Sequence, residues 1–137
     1  MRQAKIKTFY TPKQVLREGY AQNYSKSPKK PELLIKYLED KALLDNFEIV
    51  DNFEPFTPED FELAHHKAYV KEFFNGGARA SSNGLSWSPA FAESVKYTNA
   101  SLYNAIKNAV TNPDQVSFSP TSGFHHARPS GGSGFCT

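Results

Sequence analysis

Between Lys5 and Val50 the sequence runs strand, helix, strand, and that order constrains the fold more than any other feature of the chain. Lys5-Ile6-Lys7-Thr8-Phe9-Tyr10 alternates and is β-prone, which predicts a strand that stops before Pro12. Pro31 suits the first turn of a helix. Leu33, Leu34, Tyr37, Leu38 and Lys41 to Leu44 follow at helical spacing, so a helix is expected over 31–44. Phe47-Glu48-Ile49-Val50 reads as a second short strand. Antiparallel neighbours can be joined by a tight turn, whereas strands joined through a helix lie parallel in one sheet. The stretch from Thr11 to Pro31, with Gly19 and Asn23, is expected as a long surface loop with a helical turn at Lys13–Arg17.

The rest of the chain continues the alternation. Thr57-Pro58-Glu59-Asp60 is a helix start, with threonine as N-cap and proline in the first position. Leu63 through Phe74 has the period of one or two helices and stops at Asn75-Gly76-Gly77. Residues 76–88 form a Gly/Ser loop. Pro89 opens another helix, with Phe91, Val95, Leu102, Ala105, Ile106 and Ala109 mostly on one face and an end near Asn112-Pro113. Gln115-Val116-Ser117-Phe118-Ser119 is a third strand. The expected fold class is therefore α/β, a single domain spanning the 137 residues. The segment from Ser122 onward leaves the carboxyl end of the third strand, the edge at which open parallel sheets bind ligands.

Composition excludes several classes. No run approaches the roughly 18 apolar residues of a membrane span, and MRQAKIKTFY lacks the apolar centre of a signal peptide. The one cysteine, Cys136, can make neither an internal disulfide nor a cysteine-rich zinc site. A cytoplasmic protein with no membrane partner is expected. The net charge of +2 conceals a basic first third: residues 1–36 hold nine Lys/Arg against Glu18 and Glu32. Residues 37–75 hold three lysines against ten acids. Because only Lys29 and Lys30 are adjacent, these charges read as a solvated surface facing an acidic stretch, and nucleic acid is not expected as a partner.

The candidate chemistry lies near the carboxyl terminus. His125-His126 stands in a loop after a strand, where one imidazole can take a proton near neutral pH and the other return one. Gly131, Gly132 and Gly134 allow close approach of backbone to a ligand, but the lysine and spacing of a phosphate loop are missing. His65-His66 is a second pair. Adjacent helical residues point about 100° apart, so a shared metal is disfavoured and a structural role is expected. Cys136 beside Phe135 reads as a packed thiol, and Trp87 as either a packing or a binding aromatic.

The segment Ser119-Pro120-Thr121-Ser122-Gly123-Phe124-His125-His126-Ala127, followed by a short insert and Gly134-Phe135-Cys136, closely resembles the histone deacetylase and acetylpolyamine amidohydrolase superfamily. Earlier segments agree in order: Ile6 to Tyr10 with the first strand, Glu32 to Leu44 with the first long helix, and "AHHKAYV" with a Val-His-x-x-x-Tyr-Val stretch. Residues 89–110 are similar to the helix before the signature strand. The resemblance implies a three-layer α/β/α sandwich whose first strands pair in the order 2-1-3. It implies a zinc-dependent amidohydrolase that removes an acyl group from an acetylated amine, such as acetyl-lysine or an acetylpolyamine. Zinc would polarise the carbonyl and activate water, with His125 and His126 as the catalytic acid–base pair and Gly134 and Phe135 lining the substrate tunnel.

The sequence departs from the family's pattern at its end. The Asp-x-His and further Asp that bind zinc in the family, its orienting carboxylates and its oxyanion tyrosine all belong downstream of these motifs. The expectation is a truncated deacetylase-like domain over 1–137, with no metal ligands of its own. It would bind no zinc alone and be inactive without a complementing polypeptide. The rival expectation is a non-enzymatic truncated module used in binding or assembly. An unprotected Val116–Ser119 edge predicts self-association or a completing partner.

Overall fold

The computed structural model describes residues 4–17 and 25–137, so Gly19 and Asn23 of the expected Thr11–Pro31 loop lie outside the described residues. Strand β1 (Ile6–Phe9) is central. Strand β2 (Phe47–Val50) pairs parallel to it from Ile6↔Phe47 through Phe9↔Val50. Strand β3 (Ser117–Phe118) pairs parallel on the other side, with Lys7↔Ser117 and Thr8↔Phe118. The order β2-β1-β3 is the expected one.

A helix covers each face of this sheet. Helix α1 (Lys30–Asp40) sets Leu34 and Leu38 against Ile6, Phe47 and Phe118, leaving an open apolar groove of about 300 Å³ at the β3 side. The opposite face meets the long helix α4 (Pro89–Thr111), whose Asn108 Nδ2 donates to Ser117 Oγ at 2.8 Å. Ser101, fully buried on α4, donates its hydroxyl to the Phe9 carbonyl and lies 2.6 Å from Ser119 Oγ. These contacts make the arrangement three layers, α/β/α. The main apolar cluster lies beyond the sheet, where Leu16, Tyr69, Phe73, Leu85, Phe91, Ala92 and Val95 pack together.

Local chemistry explains the element boundaries. The turn expected over Lys13–Arg17 is a 3-10 turn at Pro12–Gln14, because the Gln14 carboxamide reaches back to the Thr11 N–H at 3.1 Å. Helix α1 ends four residues earlier than the apolar spacing suggests. Ala42 adopts a left-handed φ of 53°, the Leu43 N–H closes on the Leu38 carbonyl at 2.8 Å, and a 3-10 turn at Leu44–Asn46 leads into β2. In α2 (Pro58–Phe61) the Asp60 carboxylate accepts from both the N–H and the hydroxyl of Thr57, at 2.7 and 3.0 Å. The Leu63–Phe74 pattern is interrupted: Leu63 is 90% exposed, His66 is extended, and α3 (Lys67–Asn75) starts after it.

Helix α4 is capped by Ser88, whose Oγ accepts from the Phe91 N–H at 3.0 Å. Its first half is buried through Phe91, Ala92, Val95, Ala100 and Ser101, whereas Ile106 and Val110 are exposed. Only Ser117 and Phe118 of the expected five-residue strand pair with β1, with the Val116 carbonyl accepting once from the Lys7 N–H. No helix of the described residues is long and apolar enough to cross a membrane.

Helices α1 and α3 end in the same motif with different residues, which yields a reciprocal prediction. Gly76 (φ 69°) occupies at the end of α3 the left-handed position that Ala42 occupies after α1, and a Cβ on Gly76 would lie 2.7 Å from the Trp87 ring. Ala42→Gly should stabilise the chain by about 0.5–1 kcal/mol, and Gly76→Ala should destabilise it by at least about 1 kcal/mol. Chemical denaturation would measure both. Because Trp87 is the only tryptophan, native-state fluorescence should shift in Gly76→Ala and stay unchanged in Ala42→Gly.

Candidate active site

The chain leaves β3 at Phe118 and turns into an irregular segment fixed by hydroxyl groups. Ser119 Oγ bridges Ser101 Oγ and Thr121 Oγ1 at 2.6 and 3.0 Å, and Ser122 Oγ lies 3.0 Å from Ser27 Oγ. The left-handed φ of Gly123 (97°) then reverses the chain, and its carbonyl accepts from the Thr137 N–H at 3.2 Å. His125 and His126 follow directly past the carboxyl end of the third strand, both solvent-exposed. Their rings lie 4.1 Å apart between centroids, tilted by 47°. Both are therefore within reach of one small substrate.

The Gly-Phe-Cys stretch folds back onto this pair. Gly134 (φ 54°) is exposed and seats its backbone against the His126 ring, where a Cβ would meet Cδ2 at 2.7 Å. Phe135 also has a left-handed φ of 67°, a strained state for a residue with a Cβ. Its partly buried ring packs on the apolar cluster, and its N–H donates to the Asn83 carbonyl at 2.9 Å. Cys136 is buried as a packed thiol, with Sγ 3.7 Å from His125 Nδ1 and 3.8 Å from the Gly134 carbonyl. A cavity of about 50 Å³ lies beneath, bordered by Gln14, Leu85, Phe91, Phe124 and Phe135.

Asn83, which sequence reasoning passed over as part of a Gly/Ser loop, organises the closure. It is 2% exposed; its Oδ1 accepts from the Leu85 N–H at 2.9 Å and its Nδ2 donates to Thr137 Oγ1 at 2.7 Å. The signal was present in Asn83-Gly84, a turn-forming pair in which an Asn side chain commonly bonds backbone two residues on. Nearby, Glu72 accepts from the Arg79 guanidinium through both carboxylate oxygens, at 2.9 and 3.0 Å. That pairing holds the Glu72 carboxyl below the usual range. Burial raises the Tyr69 phenol above its ordinary value, opposed by a hydrogen bond with Ser82. Trp87 packs on the apolar cluster rather than standing free.

His65-His66 lies on the far side of the loop that follows His126. The His65 ring lies beside Tyr69, and both residues bond the loop after His126. A zinc ion needs about three protein donors and an open position. Among the described residues no three His, Cys, Asp or Glu side chains come together, and His125 has a thiol, not a carboxylate, on its Nδ1. The donor set present here does not fit zinc.

Removing the Asn83 side chain should loosen the closing segment without unfolding the sheet. Asn83→Ala is expected to raise the rate of Cys136 alkylation about tenfold, the scale of one or two lost buried hydrogen bonds. Thiol labelling followed by mass spectrometry measures it on the only cysteine, and circular dichroism should be unchanged.

A search of curated proteins finds no match to the chain. The histone deacetylase domain, by contrast, matches residues 24–137, a span that includes α1, the α2–α3 segment, α4, β3 and the whole His125-to-Cys136 site. With most of its length matched and a β2-β1-β3 parallel sheet that delivers the paired histidines to the carboxyl edge, the chain belongs to the histone deacetylase family.

Proposed function

We propose that this chain provides the acid–base half of a deacylase site acting on an acetylated amine such as acetyl-lysine or an acetylpolyamine. One observation carries the reading: two exposed imidazoles lie 4.1 Å apart at the carboxyl edge of a parallel sheet, in a chain of the histone deacetylase family. One ring takes the proton from an attacking water, and the other gives a proton to the departing amine. In this reading Gly134, whose backbone packs on the His126 ring, and Phe135, whose N–H is held by the Asn83 carbonyl, line the path of the acyl group.

The family is zinc-dependent in general, whereas the donors described here do not form a zinc site. On this reading the chain depends on zinc donors supplied from elsewhere, and alone it should bind no stoichiometric zinc and turn over no acetylated amine. The edge of β3 supports completion by another polypeptide segment. Val116 is 64% exposed, and the groove between α1 and the sheet is lined by Ile6, Leu34, Leu38, Phe47 and Phe118. A cytoplasmic site of action fits a chain whose one cysteine is a buried free thiol.

Two measurements test the proposal. Elemental analysis of the dialysed chain should find far less than one zinc per chain. In a zinc-loaded assembly containing this chain and the missing ligands, His125→Ala and His126→Ala should each lower turnover at least ~100-fold, the scale of a lost positioned acid or base. Wild-type turnover in both single variants would refute the assignment.

A further inference from the structure

The loop from Ala127 to Ser133 joins the histidine pair to Gly134, and its composition gives it little reason to hold one shape. It contains Gly131 and Gly132, and its internal order is a single two-residue bridge between Arg128 and Gly131. Its fixed position comes from outside. His65 Nδ1 donates to the Arg128 carbonyl at 2.8 Å, and the His66 N–H donates to the Pro129 carbonyl at 2.6 Å. From the other flank, Ser82 Oγ accepts from the Gly132 N–H at 3.0 Å, and Arg79 reaches the Ser130 carbonyl at 3.4 Å.

The break between α2 and α3 is what makes the first two anchors possible. In a continuous helix the His66 N–H would bond the carbonyl four residues back. At His66, which caps the start of α3, that N–H goes to the loop instead. The His65 ring stays seated 5.6 Å from the Tyr69 ring, with Nδ1 toward Arg128. Since Gly134 touches the His126 ring, the place of this loop sets the place of that imidazole.

We infer that His65 is a positioning residue for the His125–His126 pair, acting through its Nδ1–H bond to the Arg128 carbonyl. This rests on reading that pair as the acid and base, and extends it to a histidine outside the loop. The bond survives in either charge state of His65 so long as Nδ1 carries hydrogen, so it serves as an anchor rather than a switch.

The test uses the 137-residue chain with isotope-labelled histidine. His65→Phe keeps a ring beside Tyr69 and deletes the donor; His65→Asn places an amide nitrogen near the position of Nδ1. In His65→Phe the His125 and His126 imidazole resonances should broaden or split, and Cys136 alkylation should rise several-fold, with circular dichroism unchanged. His65→Asn should restore single resonances and the wild-type alkylation rate, which a merely space-filling role would not predict. If His65→Phe fails to fold, Ser82→Ala removes the anchor at Gly132 and should broaden the same two resonances. Unchanged His125 and His126 signals in a folded His65→Phe chain, or in Ser82→Ala where that substitution is needed, would overturn the inference. That outcome is separate from failure of the acid–base reading, which shows as undiminished turnover in His125→Ala and His126→Ala.

Discussion

Strand β1 is hydrogen-bonded on both sides to parallel partners, and most of the architecture follows from that. Parallel neighbours cannot be joined by tight turns, so each connection must cross a face of the sheet, and the helices that make the crossings cover it. Thr8, in the middle of β1, is fully buried. Its hydroxyl turns back to the Ile6 carbonyl at 3.1 Å, so that hydroxyl is met inside the sandwich. All three strands run the same way, so their carboxyl ends share one edge. The paired histidines lie there because the topology allows the last loop no other exit.

The same constraint explains what the sequence discloses and what it hides. Strand β2 is legible to the residue, because Phe47-Glu48-Ile49-Val50 is bounded by a tight turn before it and Asp51 after it. Helix α4 is legible at both ends through Ser88-Pro89 and Asn112-Pro113. The end of α1 is not. Leu43 and Leu44 continue the apolar spacing, but the chain must enter β2 at Phe47, and the tertiary requirement turns Ala42 left-handed. The third strand is overread for a similar reason. Val116 and Ser119 are as β-prone as their neighbours, but Lys7 and Thr8 offer paired positions only to Ser117 and Phe118.

In the candidate site, the histidine pair is legible and its supports are not. His125-His126 stands out in a loop after a strand, and Gly134-Phe135-Cys136 joins it through the resemblance to the family. Asn83 is 54 residues from Thr137, and His65 is 63 residues from Arg128, separations across which no local pattern reports a contact. Sequence reasoning therefore assigned His65-His66 a structural role without finding what it holds. The Asn83-Gly84 pair announced a turn but not that the turn would grip the end of the site.

The strain in the closing segment shows how these supports act together. Phe135 keeps a left-handed backbone that a residue with a Cβ enters only at a cost of about 1–3 kcal/mol. A glycine there would remove that cost, but the ring is needed in the apolar cluster. The Asn83 carbonyl holds its N–H, and Cys136, buried next in sequence, fixes the other side. Left-handed Gly134 and Phe135 in succession fold the backbone tightly enough for Gly134 to meet the His126 ring while Cys136 lies beside His125. The apolar core and the imidazole pair are thus two sides of one short turn, and the packing that stabilises the fold also sets the distance between the groups that would move protons.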